Sequence, residues 1–503
     1  MKKILFAAAV LAAAAFNANA QFGKWMPSET TIKTDEKTGV ELMVLTDVNK
    51  NDKFIYQTDP MWTYDGKYLL FRSSSRNSDT MDMSAMMGLG APAPQGGQPG
   101  GPQGQGGPQG QRPPQGAGAP PQGGAPQGAP QGGQPGGPQG QGGQQMRFNP
   151  TYNYFIEVST GRIIQVMDAE FNGTGFLANK SNKLFVSKRD GQDWNMYVMD
   201  LDKLFADAEL GKAKKAADYA TLIGTFPKDT GKYGRPGSFC VNSDDDVAYI
   251  TCTREVSEEQ MKAAQDAAFK PQDNQPVKVG VGFSAICKMN LKNGEVQKIC
   301  DVDLRVGHIQ ASRFDPDEVV FCCETGGDAY QRMWFLDAAT GKFKPLYKET
   351  DLDWVTHETF GTKDYVYFNV LGWQERLRKQ ATGIYRINLR TDDVDLIGQV
   401  EMDQDGTNYD MKVKTGRGFW HSNSTRDGNW VCGDTFNGSV WIINAQNGHK
   451  YQIASDLKMA PDHAQPFFSP DGHYLCFQSG HYSDAKRLNL IMVDLTKLPY
   501  YTK

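Results

Sequence analysis

One unit recurs along this chain and restricts what it can fold into. It runs from an Asp-Gly or similar turn into a short apolar strand, then a polar loop, then a strand ending in Asp. A Thr-Gly or Asn-Gly turn and a final strand complete it. Leu184-Phe185-Val186-Ser187 with Met196-Tyr197-Val198-Met199-Asp200 is one copy. Trp334-Phe335-Leu336-Asp337 with Thr340-Gly341-Lys342 is another, and Trp441-Ile442-Ile443-Asn444 with Asn447-Gly448 a third. Four short strands in roughly forty residues or more are the signature of propeller blades. Blades are predicted to begin near Phe54, Phe171, Pro236, His308, His357, His421 and His463, which makes seven. The run Glu41-Leu42-Met43-Val44-Leu45 has no partner of its own. It can supply the last strand of the last blade and so close the ring, leaving no open sheet edge. The expected fold is therefore an all-β, seven-bladed β-propeller over residues 21–503.

The repeat is interrupted once by composition. Between Phe71-Arg72-Ser73 and Tyr154-Phe155-Ile156 the chain turns to Gly, Pro, Gln and Ala, with a low-complexity segment at 84–147. Such a segment has no apolar surface to bury and is expected to be disordered, as an insertion in the first blade. A second insertion, Ser257 to Lys270, has helical composition.

At the N-terminus, Met1-Lys2-Lys3 leads into an apolar, alanine-rich run that ends Asn17-Ala18-Asn19-Ala20. This is the pattern of a secretory signal peptide over 1–20, cleaved after Ala20, and it implies a periplasmic or secreted protein. No other stretch is apolar for long enough to span a membrane. The net charge of -5 offers no electrostatic footprint for nucleic acid. The eight cysteines include no C-x-x-C pair, and most lie in apolar strand-like runs. Buried free thiols are the expectation, with Cys240–Cys252 or Cys287–Cys300 as the alternative bridges.

The histidines carry the functional signal. All seven lie after residue 300. His308, His357, His421 and His463 each stand just before the innermost strand of a predicted blade, where the strands converge on one mouth of the central channel. A satisfied structural histidine is the usual reading of any one of them, and copying by internal duplication is another. The other blades lack the residue, however, and four converging imidazoles can bind a metal or exchange protons near neutral pH. His449, His473 and His481 fall in turns and read as surface residues. Serine hydrolase chemistry is disfavoured, because Gly282-Phe283-Ser284-Ala285-Ile286 lacks the second glycine of a nucleophile elbow.

Several of these segments together resemble the oligogalacturonate lyase family, pectin-degrading seven-bladed propellers. They are Gly307-His308, Gln331-Arg332-Met333-Trp334-Phe335, Thr356-His357-Glu358, His421 ahead of Asp427-Gly428-Asn429-Trp430-Val431-Cys432-Gly433-Asp434, and His463-Ala464-Gln465-Pro466 ahead of Ser469-Pro470-Asp471. The likeness runs from about Gly39 to Leu498, apart from the Gly/Pro/Gln insertion.

The resemblance implies β-elimination at a uronic acid, in which the C5 proton is removed and the C4 oxygen leaves. It places His357 as the base and Arg332 as the arginine that binds the C6 carboxylate. His308 takes a supporting place at the substrate, and His421 and His463 match ligands of a manganese ion. The family pattern Gln-x-x-His-Pro-His-Pro is altered here to Ala460-Pro461-Asp462-His463-Ala464-Gln465-Pro466. Ala460 offers no ligand atom, and Gln465 stands where the family has its second histidine. A glutamine carbonyl is a neutral, weaker donor to a hard cation, and Asp462 and Asn423 are nearby substitutes. The implied function is an exported lyase that cleaves oligogalacturonides to unsaturated uronates. A propeller that only binds, or a lyase for a different uronate oligosaccharide, fits the same residues.

Overall fold

A computed structural model describes residues 22–76, 81–82, 147–148, 150–268, 281–325, 328–372, 377, 381–399 and 418–501. The expected signal peptide and nearly all of the low-complexity segment lie outside them. The chain divides into two compact units, Met1–Asp79 with Pro150–Lys503, and Thr80–Asn149. Of the second unit, one antiparallel pair is described, Met81–Asp82 against Arg147–Phe148.

The first unit consists of seven antiparallel sheets. In blade one, Tyr68–Ser73 pairs directly with Tyr152–Glu157, so the long insertion falls between neighbouring strands of one sheet. Blades two to six have four strands each and begin at Thr174, Arg235, Val306, Val355 and Phe419. In the seventh sheet, Glu41–Val44 pairs with Asn489–Asp494 through Met43↔Met492 and Val44↔Ile491. This is the closure expected from the sequence. Thr31–Thr34 adds a further strand outside it, and Trp25–Met26 does the same on blade one. The Ser257 to Lys270 segment contains a helix, Glu258–Ala268.

Local chemistry explains the repeat. In blades one, six and seven the turn after the innermost strand is built the same way. The hydroxyls of Thr63, Thr425 and Ser469 donate to Asp65, Asp427 and Asp471. The same hydroxyls accept the amides of Tyr68, Trp430 and Tyr474, where the next strand begins. Each turn then needs a residue at positive φ, supplied by Gly66, Gly428 and Gly472.

The strands that follow are buried on both faces, which is why Leu69-Leu70-Phe71 and Val319-Val320-Phe321 read as unbroken apolar runs. Neighbouring blades bury these faces against each other. One cluster joins Phe71 and Phe155 of blade one to Leu184 of blade two and Cys476 of blade seven. Burying one such side chain stabilises by about 1.5–3 kcal/mol. All eight cysteines are free thiols, so neither alternative bridge forms. Cys240 lies opposite Tyr249 and Cys300 opposite Ile286.

Candidate functional site

The innermost strands deliver the site, and three of them do so through a break in register. In blade four the pairing is interrupted between Gly307 and Gln310, and in blade five between Thr356 and Thr359. The residues at these breaks, His308 and His357, have φ of 43° and 54°. Gln465 has φ 49° and stands two residues before the paired Phe467, as His308 and His357 stand before Gln310 and Thr359. A left-handed residue at a bulge turns its side chain out of the strand's alternation, and non-glycine residues are held there only where the surroundings demand it. The four histidines therefore do not occupy one repeated place. Gln465, not His463, is the counterpart of His308 and His357. His421 is reached past a different break, with Trp420 as the extra residue.

The side chains nonetheless meet. The ring centroids of His357 and His421 are 4.2 Å apart, and those of His421 and His463 are 5.6 Å apart. Tyr56 of blade one bridges across, 5.1 Å from the His308 ring and 6.1 Å from the His421 ring. Trp420 packs on His357 at 4.6 Å and stacks on His463 at 5.4 Å.

Each functional group has a partner that orients it. His357 Nδ1 is 2.9 Å from Thr356 Oγ1. Donation from Nδ1 to that hydroxyl leaves Nε2 with its lone pair. Burial, followed by His421, Arg332, His308 and His463, holds this imidazole well below the usual histidine range, so it is neutral. Arg332 is 5% exposed, and its Nε donates to Glu358 Oε2 at 2.9 Å. Its side chain makes no ion pair with another carboxylate among the described residues, which leaves the Nη groups for a ligand. His308 Nε2 lies 3.2 Å from Glu324 Oε2.

The metal reading rests on His421, Asp434 and His463, each with a ligand atom within 4.8 Å of the others. His421 Nδ1 lies 3.1 Å and 3.2 Å from the two oxygens of Asp434, and the His421 amide donates to the same carboxylate. Burial would raise the Asp434 pKa, but His421 and the bonds to it outweigh that, and the group is held below the usual carboxylate range. His463 Nδ1 is buried with no hydrogen-bond partner. Burial, together with His421, lowers the pKa of His463, so it too offers neutral nitrogens. Two imidazoles and a carboxylate with an orphaned nitrogen fit a divalent ion such as manganese or zinc. The Gln465 amide nitrogen lies 3.4 Å from Asp462, and its backbone N–H donates to Asp434.

Asn423 does not compensate for the missing ligand. Its side chain accepts from the Phe468 amide, donates to the Gln57 carbonyl, and lines a cavity further along the channel. Tyr56, Glu324, Glu358 and Asp434 were not singled out from the sequence as site residues. Glu358 and Asp434 do stand inside the segments that carried the family resemblance. Tyr56 lies in blade one and had no motif to mark it.

A seven-bladed propeller with neutral histidines, a buried arginine and a metal-competent trio at one channel mouth is thus defined. No protein-family model and no curated protein matches the chain by sequence. By structure it is similar to an oligogalacturonate lyase in complex with manganese, at 17% identity and a TM-score of 0.59, over 94% of this chain and 98% of that one. It is likewise similar to an oligogalacturonate lyase from Vibrio parahaemolyticus, at 14% identity and a TM-score of 0.59, over 95% and 99% of the two chains. The overall fold is the one those enzymes have.

Proposed function

We propose that this protein is a carbon–oxygen lyase that cleaves oligogalacturonides by β-elimination. One observation carries the reading. A neutral, half-buried His357 sits at the same mouth as Arg332 and the His421–Asp434–His463 group. The carbon acid at C5 of a uronate is weak, so removing its proton requires an uncharged base and positive charge on the C6 carboxylate.

The chain's residues divide those tasks. Arg332, fixed by Glu358, presents its free Nη groups to the carboxylate. His308 and Tyr56, whose rings lie 5.1 Å apart, line the same mouth. His357 Nε2 takes the C5 proton, the C5–H electron pair forms the C4=C5 double bond, and the C4–O bond breaks with its electrons on oxygen. Solvent at the mouth protonates the departing oxygen. His421 and His463 would hold a divalent ion such as manganese, with Asp434 as ligand or as the partner fixing His421, and Gln465 beside them. Such an ion adds positive charge at the substrate carboxylate. The N-terminal pattern supports a place in the periplasm or outside the cell, with Gln21 as the mature N-terminus, which the mass of the N-terminal peptide of the native protein would test.

The test is to mix the purified mature protein with digalacturonate and trigalacturonate and follow the ultraviolet absorbance of the new double bond, with manganese and with a chelator. A rise that the chelator abolishes supports a metal-dependent lyase. A rise indifferent to chelator assigns the chemistry to His357 and Arg332 alone. No rise on either substrate defeats the reading and leaves a different uronate, or a propeller that only binds.

A further inference from the structure

The far end of the same channel carries a second group of charges that the proposed reaction does not use. Within blade four, Arg313 follows His308 by five residues and lies past the end of the innermost strand. At about 3.3 Å per residue that is roughly 15 Å further along the channel. Arg426 holds the corresponding turn of blade six, between Phe419–Ser424 and Trp430–Thr435. Both arginines line one cavity, together with Gln57, Asp59, Ser424 and Phe467.

The charge there is not balanced. Among the described residues, neither Arg313 nor Arg426 lies within 4 Å of a carboxylate, and no hydrogen bond of either side chain is seen. Asp59 is the acid that lines the cavity beside Arg313, and it also faces Arg72 and His308. Arg72 and Arg313 thus share one carboxylate, and Arg426 has no carboxylate partner among the described residues. Burial, and then the proximity of Arg426, push the Arg313 pKa down to about 10, against the opposing pull of Asp59. At the rim, Asp65 and Asp471 are engaged by their own turns, through Thr63 and Ser469.

A second observation points the same way. Gln57 is 2% exposed, and both polar atoms of its side chain are buried without a hydrogen bond of normal geometry. It makes only a looser approach to the Tyr56 hydroxyl. Buried amides left unsatisfied are rare in native proteins unless a water or ligand completes them.

We propose that this cavity is a second anion-binding site, in which the Arg313 and Arg426 guanidiniums, assisted by the Gln57 amide, hold one small oxyanion of the carboxylate or phosphate class. Planar guanidiniums match both groups, and placing an anion between them relieves their repulsion. The site stands apart from the proposed lyase chemistry and does not depend on it.

The test uses the full mature protein and two probes, inorganic phosphate and monomeric galacturonate, titrated calorimetrically at constant ionic strength against chloride. Saturable binding of either probe is expected, and the probe that binds more tightly identifies the source of the anion. Arg426→Gln, at the more exposed of the two arginines, should keep the fold and weaken that binding at least tenfold. Arg332→Lys, at the other mouth, should leave the binding of phosphate unchanged. Absence of saturable binding by both probes overturns the proposal. So does binding that survives Arg426→Gln but is lost in Arg332→Lys, because the anion would then sit at the histidine mouth.

Discussion

The two mouths of the channel handle charge in opposite ways. At the histidine mouth three groups have been given a counterpart: Glu358 for Arg332, Asp434 for His421, Glu324 for His308. The imidazoles left over, His357 and His463, are neutral. At the turn mouth Arg313 and Arg426 face a cavity with one nearby acid. The contrast teaches that burying charge in a propeller channel serves two distinct ends. Matched pairs hold side chains in place for chemistry on a proton, where an unpaired cation would bias every neighbouring pKa. Unmatched cations are useful only for capture.

The strongest test of this contrast is His357→Ala. We expect turnover on oligogalacturonide to fall by about 10²–10⁴-fold, the usual contribution of a positioned base. The melting temperature should hardly move, because the ring lies at a channel mouth and its loss opens no sealed cavity. Loss of folding instead would make His357 a structural residue and remove the distinction between the mouths.

Arg332→Ala comes next. It strands the Glu358 carboxylate, which is 1% exposed, and should cost roughly 3–5 kcal/mol in urea unfolding. Replacing both partners by apolar residues should recover much of that while activity stays lost. By contrast, Arg426→Gln should cost little stability. If the two arginines were equally costly to remove, the matched and unmatched mouths would not differ as described.

Asp434→Asn keeps the shape but loses the charge that orients His421, and should weaken manganese binding by about 10–100-fold in a titration. Gln465→His should strengthen it. An unchanged affinity in Gln465→His would place Gln465 outside the metal's reach.

The smallest effect should come from a carboxylate remote from both mouths. Asp35 accepts from the Thr38 and Ser455 amides and so ties the N-terminal strands to blade six. Burial opposes its charge, but these bonds prevail and its pKa is lowered. A lowered carboxylate contributes stability that is complete above its unfolded value, about 4, and is lost as pH falls through the folded value. Asp35→Asn should therefore flatten the acid limb of a stability–pH profile below pH 4 without changing turnover at pH 7.

Much of this molecule was legible from residue order alone. The turn signals and apolar runs marked seven blades, and the unpartnered Glu41–Val44 strand announced the closure, because both depend on local chemistry or on a missing neighbour. The resemblance put Arg332, His357, His421 and His463 at one mouth. The register breaks were not legible. Positive φ at His308, His357 and Gln465 arises where an innermost strand meets its neighbour, and nothing in their own flanks signals it. Counting the histidines as one repeated position therefore aligned His463 with His308 when Gln465 is the true counterpart. Tyr56 was missed because a blade-one aromatic comes beside blade-four and blade-six histidines only when the ring closes. The arginine mouth was hidden for the same reason, since Asp59, Arg313 and Arg426 come from three blades.

The pairing of Met43 with Met492 has a consequence for how the protein is made. As the chain emerges from its N-terminus, Glu41–Val44 is among the first strands available and must wait for nearly the whole chain before its partner exists. Blades one to six can assemble in order meanwhile, but the ring stays open, with the Thr31–Val44 hairpin waiting at one end and an unfilled edge at the other. Contacts so distant in sequence slow folding and prolong the exposure of sticky edges. A chain truncated just before Asn489 would retain every residue of the proposed site and still be unable to shut. Its fate would be decided by association with other open rings rather than by the loss of any group in the channel.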